Sequence, residues 1–483
     1  MGDQHGPVTA FPHPDRLLPA DPATRAVARE LYDAVAGLPI LSPHGHVDAG
    51  ILLRDEPYAG PVELLVRPDH YVLRLLHAQG IPLEELGVAV REGAPESSGP
   101  DVADPRDVWR LLCRYWPVFR GTVMRLWMEH ELADLFGIDE PLREETADRT
   151  YDLIAARLAE PDMRPRALYG HFGLEVLATT DSPLDDLAAH RALRDDQSWH
   201  GRVVPTFRPD ALADPGHVRD WGGLVERLGE VAGVSTASYR GYIAALESRR
   251  EAFRALGATA TDHGHWSADA VALSDWEASR LYDRLRSGRR DNGDEAAFAS
   301  HMLMEMARMS ADDGLVMQLH PGVDRGHDTP ALVRFGPDMG ADFPVPTAFT
   351  SALGSLLGRF GPHPNFRLVA FTVDETTFSR ELAPMASYYP ALWLGAPWWF
   401  LDAPDSMTRF WSAVTETAGF SKSAGFVDDT RAYCSVPARH DLARRAHCSF
   451  LARLVVEHRL EQRDALDLAA NFAYRLPKSV FRL

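Results

Sequence analysis

Short apolar runs recur along the chain, and most of them end in a polar or charged cluster. They fall at residues 38–41 (LPIL, running on into His44), 173–181 (GLEVLATTD), 201–210 (GRVVPTFRPD) and 258–263 (ATATDH). Four more follow at 314–320 (GLVMQLH), 366–375 (FRLVAFTVDE), 392–400 (LWLGAPWWF) and 424–431 (AGFVDDTR). Continuous apolar runs of this length mark strands buried on both faces, as in a parallel sheet. Helical periodicity fills the gaps, for example over 242–256 (YIAALESRREAFRAL) and 297–309 (AFASHMLMEMARM). Eight strand–helix units predict an α/β fold closed into a (β/α)8 TIM-type barrel. The seventh run, with its Gly, Pro and paired Trp, is unusual for a strand.

The spacing of the runs is uneven. Helical stretches at 108–119, 123–136 and 147–158 separate the first run from the second. Residues 52–170 are therefore predicted to be a mostly helical insertion after strand 1, lying over the barrel mouth. Helical patterns at 23–38 and over a C-terminal extension at 438–483 add flanking helices to one enzyme domain spanning 1–483.

Composition narrows the class. A net charge of −19 argues against nucleic acid, where clustered Lys and Arg must neutralise phosphates, and against an anionic membrane surface. It leaves room for an anionic small substrate, because a few local arginines define a pocket in a chain of any charge. No apolar run approaches the roughly 20 residues that span a bilayer, and the N-terminus lacks the basic-then-apolar order of a signal peptide. Cys113, Cys434 and Cys448 are widely spaced and odd in number. They fit buried thiols in a reducing cytoplasm better than a disulfide framework or a thiolate cluster.

In such a barrel, chemistry is placed at the C-terminal ends of the strands. His44-Gly45-His46 follows the first run, where two imidazoles two positions apart project the same way and suit a borderline divalent metal. By itself the pattern is weak, since the chain has 20 histidines and a second His-Gly-His stands at 263–265. Asp428-Asp429-Thr430-Arg431 ends the eighth run, and a carboxylate there could complete a His-His-Asp site. The competing reading pairs Asp429 with Arg431 or uses it to cap a helix, and the pattern leaves both open. Only Lys422 and Lys478 are lysines, and neither lies on strands two to seven. A lysine-bridged metal pair is thereby disfavoured and a single ion is the simpler expectation. Arg208 can fork onto a carboxylate, Tyr71 can act as an acid or base, and His70 can orient a substrate. Trp398 and Trp399 can wall the pocket.

Taken in order, HxH, Asp69-His70-Tyr71 with Arg74, TTDSP, PTFRPD, DHG, VMQLH, Trp-Trp-Phe and a final Asp-x-Arg resemble the uronate isomerase (glucuronate isomerase) family of the amidohydrolase superfamily. The likeness runs from about Asp15 through Tyr474. It implies interconversion of D-glucuronate with D-fructuronate and of D-galacturonate with D-tagaturonate. It also implies one divalent ion, zinc in the first place with manganese, iron(II) or cobalt as other options, held by His44, His46 and Asp429. By the same resemblance Tyr71, Asp429 and Arg431 are catalytic, and His70, Arg208, His263, Gln318 and His320 bind substrate. A homo-oligomer is a further expectation. The chain departs from the family pattern at Ser42, where an acid usually stands, at PGVDRGHD after VMQLH, and at Pro397. Two rivals remain: a mononuclear metal-dependent hydrolase or decarboxylase on the same barrel, and a non-catalytic carbohydrate-binding barrel.

Overall fold

The computed structural model describes residues 11–91, 94 and 103–483. Strands β1 (Ile40–Ser42), β2 (Leu174–Ala178) and β3 (Val203–Val204) pair in parallel in that order. A second parallel sheet contains β4 (Ala260–His263), β5 (Val316–Leu319), β8 (Leu368–Ala370) and β9 (Leu392–Leu394). Between β5 and β8 lies a small antiparallel hairpin, β6 (Val323–Asp324) with β7 (Phe343–Pro344). Phe207 bridges both Asp181 and Thr261, so the first sheet runs on into the second. On the other side Leu394 bridges Ser423, and the His46 N–H donates to the Thr430 carbonyl at 2.9 Å. The eight parallel segments thus close into a barrel.

Seven of the eight predicted runs contain a regular strand, and the eighth does not. Residues 423–431 touch β9 through one bridge and one hydrogen bond (Ala424 N to Leu394 O, 2.8 Å) and then turn away. Gly425 (φ +79°) and Asp429 (φ +38°) both leave the extended region there, which breaks the ladder. The run 392–400 is strand only as far as Leu394, so Pro397 lies beyond the ladder and removes no bond from it.

Helices start and stop where local chemistry dictates. Asp21 accepts from Thr24 N ahead of Pro22, Asp104 accepts from Arg106 N ahead of Pro105, and Ser274 with Glu277 forms a capping box. Helices Val123–Phe136 and Ala147–Leu158 coincide with the periodic stretches, and the first stops at Gly137 in the left-handed region. Between β1 and β2 the described backbone is wholly helical or irregular, and residues 92, 93 and 95–102 of the predicted insertion lie outside the described residues. Helix Val436–Val456 packs on helix Pro22–Asp33, and Arg444 donates to the carbonyls of Ala36 and Leu38 at 2.8 Å each. Arg444 thereby ties this C-terminal helix to the segment that leads into β1. Among the described residues no helix is long and apolar enough to cross a membrane.

Trp411, 2% exposed, stacks on Phe472 at 4.3 Å and joins helix Pro404–Ala418 to the C-terminal segment. Trp411→Ala should cost about 3–5 kcal/mol through lost burial and the cavity left behind, read as a lowered denaturation midpoint with the native far-UV spectrum retained.

Candidate active site

β1 delivers the first functional pair. Side chains alternate along a strand, so Ser42 and His44 share the face turned toward the eighth segment, where the Ser42 hydroxyl donates to Asp428 Oδ1 at 3.0 Å. His440 Nε2 lies 3.2 Å from the other Asp428 oxygen. Asp428 is thus tied into the wall, and a carboxylate at position 42 would face it directly. Gly45 eases the approach: a Cβ there would sit a tight 3.3 Å from the Thr430 carbonyl, against which β1 closes the barrel.

Asp429 is left to face the cavity. Its Oδ1 lies 3.0 Å from His46 Nε2 and 3.4 Å from His44 Nε2. Burial raises its carboxyl, but the two imidazoles win and hold it well below the usual carboxylate range. His44 is fully buried, which disfavours its cation, yet Asp429 and Asp262 raise it overall. Among the described residues eight non-glycine residues have positive φ, and three of them, Asp338, Trp399 and Asp429, line this one cavity. Strained backbone held by its surroundings clusters at functional sites.

β4 and β5 add the second layer. His320 Nδ1 lies 2.7 Å from Asp262 Oδ1, so that nitrogen carries the proton and donates. Its Nε2 is buried without a partner, and the ring is clamped between Phe371 (4.0 Å) and His44 (4.8 Å). Asp262 also faces Arg208 Nη1 at 3.1 Å and His44 Nε2 at 4.0 Å. Burial opposes its charge, but Arg208 first, then His44 and His320, keep it ionised.

The donor set fits a divalent metal. One donor atom each from His44, His320 and Asp429 lies within 4.8 Å of the other two, with His46 against the same carboxylate. A bare, buried imidazole nitrogen whose ring partner is fixed by a carboxylate is how proteins present a histidine ligand. Nitrogen and oxygen donors without thiolate suit zinc and its neighbours.

Over these donors lies a cavity lined by polar and aromatic side chains. Helix His70–His77 supplies one wall, started by Asp69, whose side chain accepts from Tyr71 N at 2.8 Å. His70 stacks on Tyr71 at 4.7 Å, and burial lowers its pKa to about 3, leaving a neutral ring. The Tyr71 hydroxyl lies 2.9 Å from the Trp399 carbonyl and 3.0 Å from Asp402 Oδ2. Burial raises this phenol well above its ordinary value, so it is a proton donor. Burial likewise pushes Asp402 up to about 7, against the pull of Arg439, whose Nη1 is 3.1 Å away.

The predicted residues divide by position. His46, His70, Tyr71, Trp398, Trp399, Asp429 and Arg431 line the cavity, with His44 and His320 directly behind. Arg431 pairs with Asp338 at 2.9 Å and not with Asp429. Arg208 does not line the cavity: its guanidinium is shared between Asp210 (Nε to Oδ2, 2.7 Å) and Asp262. Gln318, fully buried and paired in register with Asp262, lies deeper in the barrel with neither amide atom partnered. His263, expected as a substrate contact, is on the other side of β4, bonded to Thr261 Oγ1 at 3.0 Å. The strand alternation places Asp262, not His263, at the site.

Asp262, Arg325, Asp338, Asp402 and Arg439 were not picked out from sequence. Only Asp262 left a signal there, as the residue in phase with the strand face that carries the chemistry. Arg325 comes from the PGVDRGHD departure: β6 and β7 fold that segment back, and its guanidinium lies 5.3 Å from the Trp399 ring at the cavity mouth.

Comparison with known proteins decides the family. Residues 22–481 match the glucuronate isomerase family. The chain belongs to that family. A uronate isomerase of Rhizorhabdus wittichii is 51% identical over 479 residues, 99% of this chain and 100% of that one. The crystal structure of glucuronate isomerase from Caulobacter crescentus superposes with a TM-score of 0.93 at 45% identity, covering 97% of this chain and 96% of that one. A uronate isomerase structure from Thermotoga maritima gives 0.88 at 26% identity, over 97% and 98%. The (β/α)8 barrel expected from the strand count is the fold of these family members.

A carboxyl at about 7 when folded, against about 4 when unfolded, makes folding take up a proton between those values. Stability then falls as pH rises through that window. Asp402→Asn should lower overall stability by stranding Arg439, yet show a smaller drop in Tm than wild type between about pH 5 and about pH 7.5. Parallel slopes in a melting series would show that Asp402 is already ionised at the low end.

Proposed function

We infer that the chain is an aldose–ketose isomerase of hexuronates, converting D-glucuronate to D-fructuronate and D-galacturonate to D-tagaturonate. One observation carries the reading. A single cavity holds His46, Asp429, a protonated phenol and three arginines, with the imidazole donors of His44 and His320 directly behind it, a combination that hydrolysis of a neutral bond does not require.

His44, His46 and Asp429 would hold the ion, with His320 beside them. Bound there, a divalent metal supplies Lewis-acid polarisation of substrate oxygens; zinc is the first choice, and manganese, iron(II) and cobalt accept the same donors. The remaining chemistry belongs to the chain. Asp429 takes the proton from C2 of the open-chain sugar and returns it at C1, through a cis-enediol. Tyr71, protonated and pinned by the Trp399 carbonyl, gives its proton to O1 and regains one from O2. Arg431 stabilises the negative charge that develops between those oxygens, in a geometry Asp338 already holds. His70, neutral and packed on Tyr71, can accept a sugar hydroxyl through Nε2, which has no protein partner.

Arg325 is the best-placed cation for the substrate carboxylate. Arg208, Arg431 and Arg439 each face a carboxylate already, whereas Arg325 has no such partner among the described residues. Arg208 then acts at one remove, by orienting Asp262. The three cysteines are buried and unpaired, which suits a reducing compartment such as the cytoplasm.

The purified, metal-loaded protein should convert both uronates in a coupled ketose assay, with solvent deuterium appearing at C1. No turnover of either sugar would overturn the reading. Tyr71→Phe should lower kcat by about 10²–10⁴ with native metal content, the range for a lost acid–base group. Arg325→Gln should instead raise KM by about 10–100-fold with kcat little changed, as for loss of one charge-assisted contact; an unchanged KM would return the carboxylate to Arg208.

A further inference from the structure

The chain carries His-Gly-His twice, and the cavity uses only one copy. The second, His263-Gly264-His265, ends β4 as the first ends β1. Alternation turns His263 to the opposite face of the strand from Asp262. There His263 is wholly buried and His265 is 3% exposed. The two rings converge, with centroids 6.1 Å apart and planes inclined at 60°.

Both rings carry a bare nitrogen. His263 Nδ1 and His265 Nε2 are buried with no hydrogen-bond partner in the protein. A buried polar atom without a partner is costly and rare in folded proteins, and it calls for something that satisfies it. Asp210 completes the group: one donor atom from each of the three residues lies within 4.8 Å of the other two. Small side-chain rotations close that spacing onto an ion with bonds of roughly 2.0–2.1 Å. The carboxylate is preset for the task. Gly264 N lies 3.1 Å from each of its oxygens and Arg208 Nε lies 2.7 Å from Oδ2, which orients it and leaves Oδ1 with acceptor capacity. Gly264 itself has no room for a side chain, since a Cβ would meet Arg208 Nη2 at 2.5 Å and Asp210 Oδ2 at 3.0 Å.

A route in is also present. His265 lines a surface cavity whose wall includes Asp214, Asp269 and Glu295, the last paired with Arg290. None of these residues lines the catalytic cavity. An acidic approach concentrates cations and repels the anionic sugar.

We propose that Asp210, His263 and His265 form a second divalent-metal site, of the zinc class, on the face of β4 turned away from the catalytic cavity. Two imidazoles and one carboxylate select a borderline transition ion over magnesium or calcium, which take oxygen ligands. The fourth position opens to the acidic cavity. The ion is structural: it fixes Asp210, and through Asp210 the guanidinium of Arg208, whose other end reaches Asp262 in the active site.

The test is metal content by plasma mass spectrometry after equilibration with excess zinc and removal of free ion, with Co²⁺ absorption as a second readout. Wild type should hold two ions per chain and His265→Gln one. Asp429→Asn should also hold one, and the double variant none. The glutamine keeps the volume of the imidazole, and far-UV spectra verify folding of every variant. One ion in wild type that His265→Gln retains, two in His265→Gln, or none in Asp429→Asn alone would each overturn the second site, whereas one ion in wild type that His265→Gln loses would place it there and leave the catalytic set empty. These outcomes are independent of isomerase turnover, so failure of the site and failure of the proposed reaction are distinguishable.

Discussion

Closure of the barrel between its first strand and its irregular eighth segment is the constraint on which the site depends. Gly45 lets the end of β1 come against the Thr430 carbonyl, and the His46 N–H bonds to it at 2.9 Å. That single seam brings His44 and His46, near the start of the chain, to Asp429, near its end. A regular ladder across it would hold residues 428–431 flat. The left-handed backbone at Asp429 instead sends Asp428 into the wall and Asp429 into the cavity. Strain at that residue is tolerated because Ser42, His440 and the closing hydrogen bond determine its neighbours.

Behind the seam, charge is buried in chains and not in isolated pairs. Arg208 sits between Asp210 and Asp262, and Asp262 in turn holds His320. Arg439 sits between Asp402 and the Trp127 ring, 3.7 Å from its centroid, and Asp402 holds Tyr71. The first chain ends on His320, directly behind the cavity, and the second on Tyr71, which lines it. Breaking one member would leave a charge uncompensated in a poorly solvated interior, which costs more than the pair contributes when intact. Arginine suits these places, since its planar fork serves two acceptors at once and stays charged when buried; the two lysines of the chain lie elsewhere.

The departures from the family pattern fall into place on the same terms. Ser42 gives Asp428 a hydroxyl donor, where an acid would give it a second negative charge. PGVDRGHD folds into the hairpin that carries Arg325 to the cavity mouth. Pro397 lies past the end of β9, in the stretch that turns Trp398 and Trp399 over the site.

Periodicity along the chain was enough to determine a parallel, closed arrangement of strands with helices between them. Buried strands and amphipathic helices leave their signatures in consecutive residues, and helices Val123–Phe136 and Ala147–Leu158 could be read to the residue. The order of motifs likewise singled out His44, His46, Tyr71 and Asp429, which the closed barrel brings together in or directly behind one cavity. Which neighbour faces the chemistry was another matter. Asp262 displaced His263, Arg325 emerged at the mouth while Arg208 lay already committed, and Asp402 and Arg439 came in from segments with no local mark. Those choices turn on strand phase, on charge partners some 37 to 93 residues apart and on burial. Each is a property of the closed barrel, because desolvation and pairing exist only once distant segments have met.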